Sequence, residues 1–381
     1  MIYLDHAATS WPKPPAVVAA VTTALQTAGN PGRGGHRLAM AGAEYVYRAR
    51  EAVAELLAIP DPLRIVFTAG ATAALNLALK GVLKPGDHVV FSGLEHNAVW
   101  RPLKKLQAQG VHLTMVTPSP DGSIPPDAVA NVISPTTKLI VLTHASNVSG
   151  QLNDIAAIAN VAHDHGALIL VDAAQTAGSV PINAPTMAID LLAFAGHKGL
   201  QGPQGVGGLY IRPGLMLDTL IEGGTGSASA SPSQPDVLPD RYESGTLNVP
   251  GLAGLEAGIR HVLSTGVETI YRQEQTLMMR LIDGLQHITP VQIYGPANAA
   301  PRAGVVSCNI DGYDCETVAA LLEEQYGIAT RAGLHCAPLA HRMQGTLACG
   351  SLRLSLGASS TTNDVDSALA AITALAERRQ A

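Results

Sequence analysis

The sequence predicts an α/β fold, with a large, mostly parallel seven-stranded sheet covered by helices and a smaller α+β unit after it. Three observations predict it. Seven short apolar runs, at 64–67, 88–91, 113–116, 139–143, 168–171, 191–194 and 208–211, alternate with longer helix-like segments such as 41–58 and 152–165. These runs are apolar nearly throughout instead of alternating with polar residues, which is the pattern of strands buried on both faces. After Gly258 the rhythm changes, as helical 267–287 is followed by strand-like 304–310, helical 315–326, strand-like 351–356 and a last helix over about 364–379. That second rhythm is an α+β unit. The expected division is a large domain over 16–258 and a small one built from 1–15 and 259–381. The stretch 223–239, rich in Gly, Ser, Ala and Pro, is expected to be a mobile loop.

Bulk properties narrow the function classes. The chain has 381 residues, 47% hydrophobic and 14% charged, an ordinary globular composition long enough for a large and a smaller domain. Its net charge is −6 and its Lys and Arg are scattered, so nothing points to nucleic acid. No apolar run approaches the ~18 residues of a membrane span, and the start, Met1-Ile2-Tyr3-Leu4-Asp5-His6, lacks the pattern of a signal peptide. Four cysteines, Cys308, Cys315, Cys336 and Cys349, do not make a disulfide framework in so long a chain. A reduced, cytoplasmic setting is expected. Cys308 and Cys315 have no paired-ligand spacing and no His cluster, so no metal site is expected.

Ligands of such sheets sit at the carboxyl ends of the strands, and the chemistry of this chain collects there. The run Ala167-Leu168-Ile169-Leu170-Val171 ends on Asp172. The next, Leu192-Ala193-Phe194-Ala195, leads into Gly196-His197-Lys198-Gly199. A carboxylate and a lysine so placed are what a pyridoxal phosphate site needs. The lysine forms the Schiff base, and the carboxylate pairs with the pyridinium nitrogen. Apolar surroundings also lower a lysine pKa and leave the amine nucleophilic. A surface lysine and an N-capping Asp are the plain alternative.

Further candidates each carry a plain alternative. In Phe67-Thr68-Ala69-Gly70-Ala71-Thr72 a strand turns into a helix, and the N–H groups of Ala71 and Thr72 suit a phosphate. A simple capped turn reads the same way. His96, in Glu95-His96-Asn97-Ala98, suits ring stacking and proton transfer, or is a loop His. Asn147 suits a phenolic oxygen, or belongs to an Asn-x-x-Gly turn. Cys336, in Arg331-Ala332-Gly333-Leu334-His335-Cys336-Ala337-Pro338, lies on a loop near an Arg and a His that favour thiolate, although a lone Cys is commonly a packing residue. Arg353, inside the apolar strand Gly350-Ser351-Leu352-Arg353-Leu354, needs an anionic partner, either a substrate carboxylate or a structural acid.

In order along the chain, these motifs resemble the cysteine desulfurases of aminotransferase class V, pyridoxal phosphate enzymes of fold type I. The resemblance runs from Tyr3-Leu4-Asp5-His6-Ala7-Ala8-Thr9 through Asn30-Pro31-Gly32-Arg33-Gly34-Gly35-His36 to the Arg353 strand. It implies that Lys198 carries the cofactor, Asp172 pairs with its ring nitrogen and His96 stacks on the ring. Asn147 and Gln175 flank the phenolic oxygen, and Ala71, Thr72 and His197 contact the phosphate. Thr246, in Tyr242-Glu243-Ser244-Gly245-Thr246, corresponds to a residue reaching the neighbouring subunit's phosphate, which implies a homodimer. Arg353 and Asn147 hold the substrate carboxylate, Arg33 and His36 line the entrance, and Arg331 stands beside Cys336.

The short loop around Cys336 is similar to the group II branch, typified by the desulfurase of the Suf pathway of iron–sulfur cluster assembly. The chain departs from its relatives at Ala195, where many have a Ser or Thr on the phosphate, and at Leu334, often His in that branch. The implied reaction converts L-cysteine to L-alanine. Lys198 takes the α-proton, Cys336 attacks the substrate sulfur and becomes a persulfide, and His96 returns a proton. A sulfur-acceptor protein is an implied partner. Competing readings are a selenocysteine lyase acting on L-selenocysteine, another class V aminotransferase or epimerase, and a sulfur-carrier scaffold with little turnover. The reactions of the aminotransferase and the epimerase need no thiol, which sets Cys336 against them.

Overall fold

The computed structural model describes residues 1–380 apart from 33, 120–121 and 297–299. The chain opens with β1 (Ile2–Tyr3), α1 (Pro15–Thr27) and α2 (Arg37–Leu56). The large sheet follows, from β2 (Ile65–Thr68), β3 (His88–Ser92), β4 (His112–Val116), β5 (Thr137–Thr143), β6 (Leu168–Asp172), β7 (Leu191–Ala195) and β8 (Gly207–Ile211). Between these strands run α3 (Ala71–Val82), α4 (Asn97–Gln107), α5 (Pro126–Ala130) and α6 (Ile155–Asp164), and α7 (Val249–Thr265) comes after them.

The sheet order is β2-β8-β7-β6-β5-β3-β4. The pairs among β3 to β7 are parallel, and β8 runs antiparallel to both β7 and β2. Successive residues of one strand enter different cores. Ile140, Ile169, Leu192 and Phe194 pack with α2, α6 and α7, whereas Leu139, Leu170, Leu191 and Ala193 pack with α3 and α4. Both faces are therefore covered, which is why these strands read as unbroken apolar runs. Parallel pairing also sends the ends of β3, β5, β6 and β7 to one edge, where the site forms.

After α7 the chain continues through α8 (Val267–Gln286), β9 (Val291–Tyr294), β10 (Val305–Ile310), α9 (Cys315–Tyr326), β11 (Ile328–Ala329), β12 (Arg331–Gly333), α10 (Pro338–Met343), β13 (Ser351–Ser355) and α11 (Thr362–Gln380). The strands β12-β13-β10-β9 make an antiparallel sheet. Leu281, Val318, Leu354 and Ile372 bring α8, α9, β13 and α11 into a third core. β1 pairs in parallel with β11, and Asp5 bridges Ser355, so the first residues of the chain lie against this second sheet.

Differences at the helix ends have local causes. The helix expected from residue 41 begins at Arg37, because the His36 ring accepts from the Ala39 N–H as an N-cap. The helix expected from residue 152 begins at Ile155. Leu152 is held in a bridge with Ala145, and Asp154 caps through the Ala157 N–H. The segment 223–239 carries neither helix nor strand.

Candidate active site

Four strand ends meet at one cavity. β3 closes at Ser92, β5 at Thr143, β6 at Asp172 and β7 at Ala195, and the chain just beyond them delivers His96, Asn147, Gln175 and Lys198. With Ala71 and Thr72 of α3, these residues line a cavity of about 620 Å³. Arg331 of β12, Arg353 of β13 and His335 from the loop after β12 line it as well.

Lys198 is pushed by burial from its usual ammonium range to about 8, so the neutral amine is accessible near physiological pH. Asp172 is 3% exposed, and its Oδ1 accepts from the Ala174 N–H at 3.0 Å. Burial raises its carboxyl pKa, with the Ala174 hydrogen bond and the Lys198 charge opposing. Among the described residues it makes no ion pair.

His96 caps α4, and its Nδ1 accepts from the Ala98 N–H at 3.0 Å. The remaining proton therefore sits on Nε2. Burial, reinforced by the charges of Lys198, Arg331, Arg101 and Arg353, lowers its pKa to about 4, so the ring is neutral. His197 is lowered to about 4 mainly by burial, and its Nδ1 is buried without a partner. Gln175 Nε2 donates to the Ala7 carbonyl at 3.1 Å.

Arg353 is 1% exposed, with Nη2 donating to Asp5 Oδ1 at 2.8 Å and Nη1 to the Asn147 carbonyl at 3.0 Å. Its Nε is buried without a partner. Arg353 thus has a structural acid on one prong and also lines the cavity wall. Asn147 Nδ2 donates to the His335 carbonyl at 2.7 Å.

The residues fit pyridoxal phosphate. Gly70 precedes α3 at φ +147°, with nothing within 4 Å of where a Cβ would stand, so the turn leaves open space at the helix start. α3 has no side-chain N-cap, and its first two N–H groups, of Ala71 and Thr72, meet no backbone acceptor among the described residues. Such an end suits a phosphate. The unpaired buried Asp172 suits a protonated ring nitrogen. Ala195 lines the same cavity without a hydroxyl.

Other expected residues lie elsewhere. His36 faces its own helix as a cap, and Thr246 lines an adjoining pocket of about 340 Å³ that shares Ala69, Ala73, Gly205 and Leu220 with the inner cavity. Arg33 lies outside the described residues. Cys336 is exposed in the left-handed region at φ 58°, next to His335 at φ 48°, and Arg331 Nη2 stands 3.9 Å from its Sγ. It does not line the inner cavity. It opens into an adjoining pocket that shares Thr72, Asn76, His96 and Ala98 with that cavity.

Sequence reasoning missed three supporting groups. Asp5, quoted within Tyr3-Leu4-Asp5-His6, holds Arg353. Glu95, just before His96, is buried. Its Oε1 accepts from Ser92 Oγ and from the Thr143 N–H, and burial pushes its pKa up to about 8. Lys13 Nζ donates to the His197 carbonyl at 2.9 Å, tying the start of the chain to the Lys198 turn.

Comparison with known proteins shows what the chain as a whole is similar to. The family profile "Aminotransferase class-V" matches residues 2–368. A cysteine desulfurase of Klebsiella pneumoniae is 34% identical over 98% of this chain and 92% of its own length. A probable cysteine desulfurase of Methanothermobacter thermautotrophicus is 35% identical over 88% of this chain and 84% of its own. The apo structure of a cysteine desulfurase from Thermococcus onnurineus superposes with a TM-score of 0.93 at 33% identity, covering 99% of this chain and 94% of that one.

Proposed function

The chain belongs to the aminotransferase class-V family, and from that premise we propose that it is a pyridoxal phosphate-dependent cysteine desulfurase whose sulfur-accepting residue is Cys336. The observation that carries the reading is one cavity that joins a depressed-pKa lysine, an unpaired buried aspartate and an open helix N-terminus, with an exposed cysteine at its side.

Pyridoxal phosphate bound here supplies an electron sink for the substrate α-carbon. Lys198 would hold the cofactor, and its neutral amine would take the substrate α-proton. Asp172 keeps the ring nitrogen protonated, because a buried carboxylate stabilises a cation opposite it. His96 would lie against the ring, and its Nε2–H would donate a hydrogen bond to the departing group, while the proton returned to form alanine is the one Lys198 took from the α-carbon. Arg353, fixed on Asp5 and the Asn147 carbonyl, holds the L-cysteine carboxylate with a planar fork. The Cys336 thiolate, beside Arg331, attacks the substrate sulfur and keeps it as a persulfide.

Thr246 acts across a homodimer, which would explain why it lies outside the cavity of its own chain, next to exposed Leu220 and Ile221. Arg33 and His36 at the entrance and a cytoplasmic location complete the reading.

The test is the purified protein reconstituted with pyridoxal phosphate and given L-cysteine. The expected result is equal release of alanine and sulfide in the presence of a thiol, lost in Lys198→Ala. Transamination of L-cysteine without sulfide release would refute the reading.

A further inference from the structure

Cys336 lines an outer pocket that shares part of its wall with the inner cavity. The outer pocket holds about 420 Å³, and Thr72, Asn76, His96 and Ala98 form the wall between it and the inner cavity. Lys80 of α3 and Arg101 and Lys105 of α4 converge there, and among the described residues no carboxylate lines the pocket. Arg101 and Lys105 stand one helical turn apart on the same face of α4. None of the three makes an ion pair among the described residues, although the protein as a whole carries a net charge of −6. Lys80 and Lys105 lie in the last turns of their helices, where a cation is favourable. That does not account for Arg101, or for the convergence of all three beside the one exposed cysteine of the site. Three unpaired cations around a pocket repel one another and favour an anionic occupant.

Resting on the desulfurase reading, we infer that this outer pocket binds the second substrate of the reaction, a low-molecular-mass thiol that carries carboxylates. The volume lies in the range of small-molecule pockets, ample for a tripeptide. The carboxylates lie on Lys80, Arg101 and Lys105, and the thiolate points at the sulfur on Cys336. In the transfer, the acceptor thiolate attacks the outer sulfur of the Cys336 persulfide. A new S–S bond forms on the acceptor and the Cys336–sulfur bond breaks. The electron pair leaves on Cys336 Sγ, regenerating its thiolate. No external oxidant or reductant enters. Cys336 thus collects sulfur from the inner side and releases it on the outer side.

The test compares glutathione with glutathione diethyl ester, whose carboxylates are masked, using the reconstituted enzyme and the Lys80→Glu/Lys105→Glu variant. Three quantities are read: the alanine formed in one turnover without acceptor, the steady-state kcat/KM for each thiol, and binding of unreactive S-methylglutathione by calorimetry. The wild type should prefer glutathione over its diester. The variant should lose about tenfold in glutathione kcat/KM, the scale expected when two partly exposed ion pairs become repulsions. The same variant should leave the single-turnover alanine and the diester rate unchanged, and should weaken S-methylglutathione binding in parallel. Equal use of the two thiols by the wild type, or equal loss for both in the variant, would overturn the inference. Absence of single-turnover alanine in the wild type would instead count against the desulfurase reading, while the calorimetry would still judge the pocket.

Discussion

Arg353 Nη2 lies 2.8 Å from Asp5 Oδ1, so a residue near the very start of the chain fixes the arginine of the penultimate long element. The pair crosses nearly the whole sequence and orients a guanidinium whose second prong is on the Asn147 carbonyl. Arg353→Lys keeps the charge and loses this two-pronged orientation. Its KM for L-cysteine is expected to rise about tenfold or more, the scale of one charged hydrogen bond, with a smaller change in kcat. Steady-state kinetics decide it, and an unchanged KM would remove Arg353 from the substrate site.

Asp172→Ala removes the only carboxylate that lines the inner cavity among the described residues. Solvent deuterium exchange at the α-carbon of L-alanine should slow by about a hundredfold, comparable with losing one preorganised electrostatic group. The overall fold should persist, because among the described residues the Asp172 side chain makes a single hydrogen bond, to the Ala174 N–H. Exchange at the wild-type rate would exclude its role at the ring nitrogen.

Lys198 sets the pH dependence of cofactor uptake. Burial disfavours the ammonium, so its pKa falls from 10.5 to about 8. The neutral amine is the nucleophile, so uptake of pyridoxal phosphate by the cofactor-free protein should accelerate as pH rises towards about 8 and level off above it. Stopped-flow absorbance follows the reaction. An unchanged rate across that range would place a different group in control.

Glu95 and Glu274 give stability its own pH dependence. Burial raises both from 4.5 to about 8, so the folded state holds protons that the unfolded state releases. Their contribution is fully present below about 4.5 and is lost as pH rises through about 8. Melting temperature should therefore fall over that window, and Glu95→Gln/Glu274→Gln should flatten the fall. A variant profile parallel to the wild type would assign the dependence to other groups.

The parts of this architecture that sequence reveals are those where one residue's neighbours in sequence are also its neighbours in space. β5 to β7 are legible because both faces are buried, and Asp172 and Lys198 because the first ends its strand and the second comes three residues after one. The motif series extended that to the family. The Asp5–Arg353 pair and the contact of Lys13 with the His197 carbonyl join distant segments, so no local pattern encodes them. β11 and β12 have two and three residues, too few for periodicity to register. The placement of Cys336 outside the inner cavity depends on two consecutive left-handed residues, His335 and Cys336, neither of which is a glycine that would have signalled the turn. The outer basic pocket draws Lys80 and Arg101 from separate helices, and only the packing of α3 on α4 unites them.

The central claim is that Cys336 receives the sulfur. Mass spectrometry of the reconstituted enzyme after one turnover of L-cysteine, without reductant, tests it most directly. The account predicts one extra sulfur atom on the peptide that contains Cys336 and none on those with Cys308, Cys315 or Cys349. It also predicts that Cys336→Ser still binds L-cysteine yet releases neither alanine nor sulfide, because a hydroxyl is a poor nucleophile towards sulfur. A persulfide on any other cysteine, or full turnover by Cys336→Ser, would contradict it.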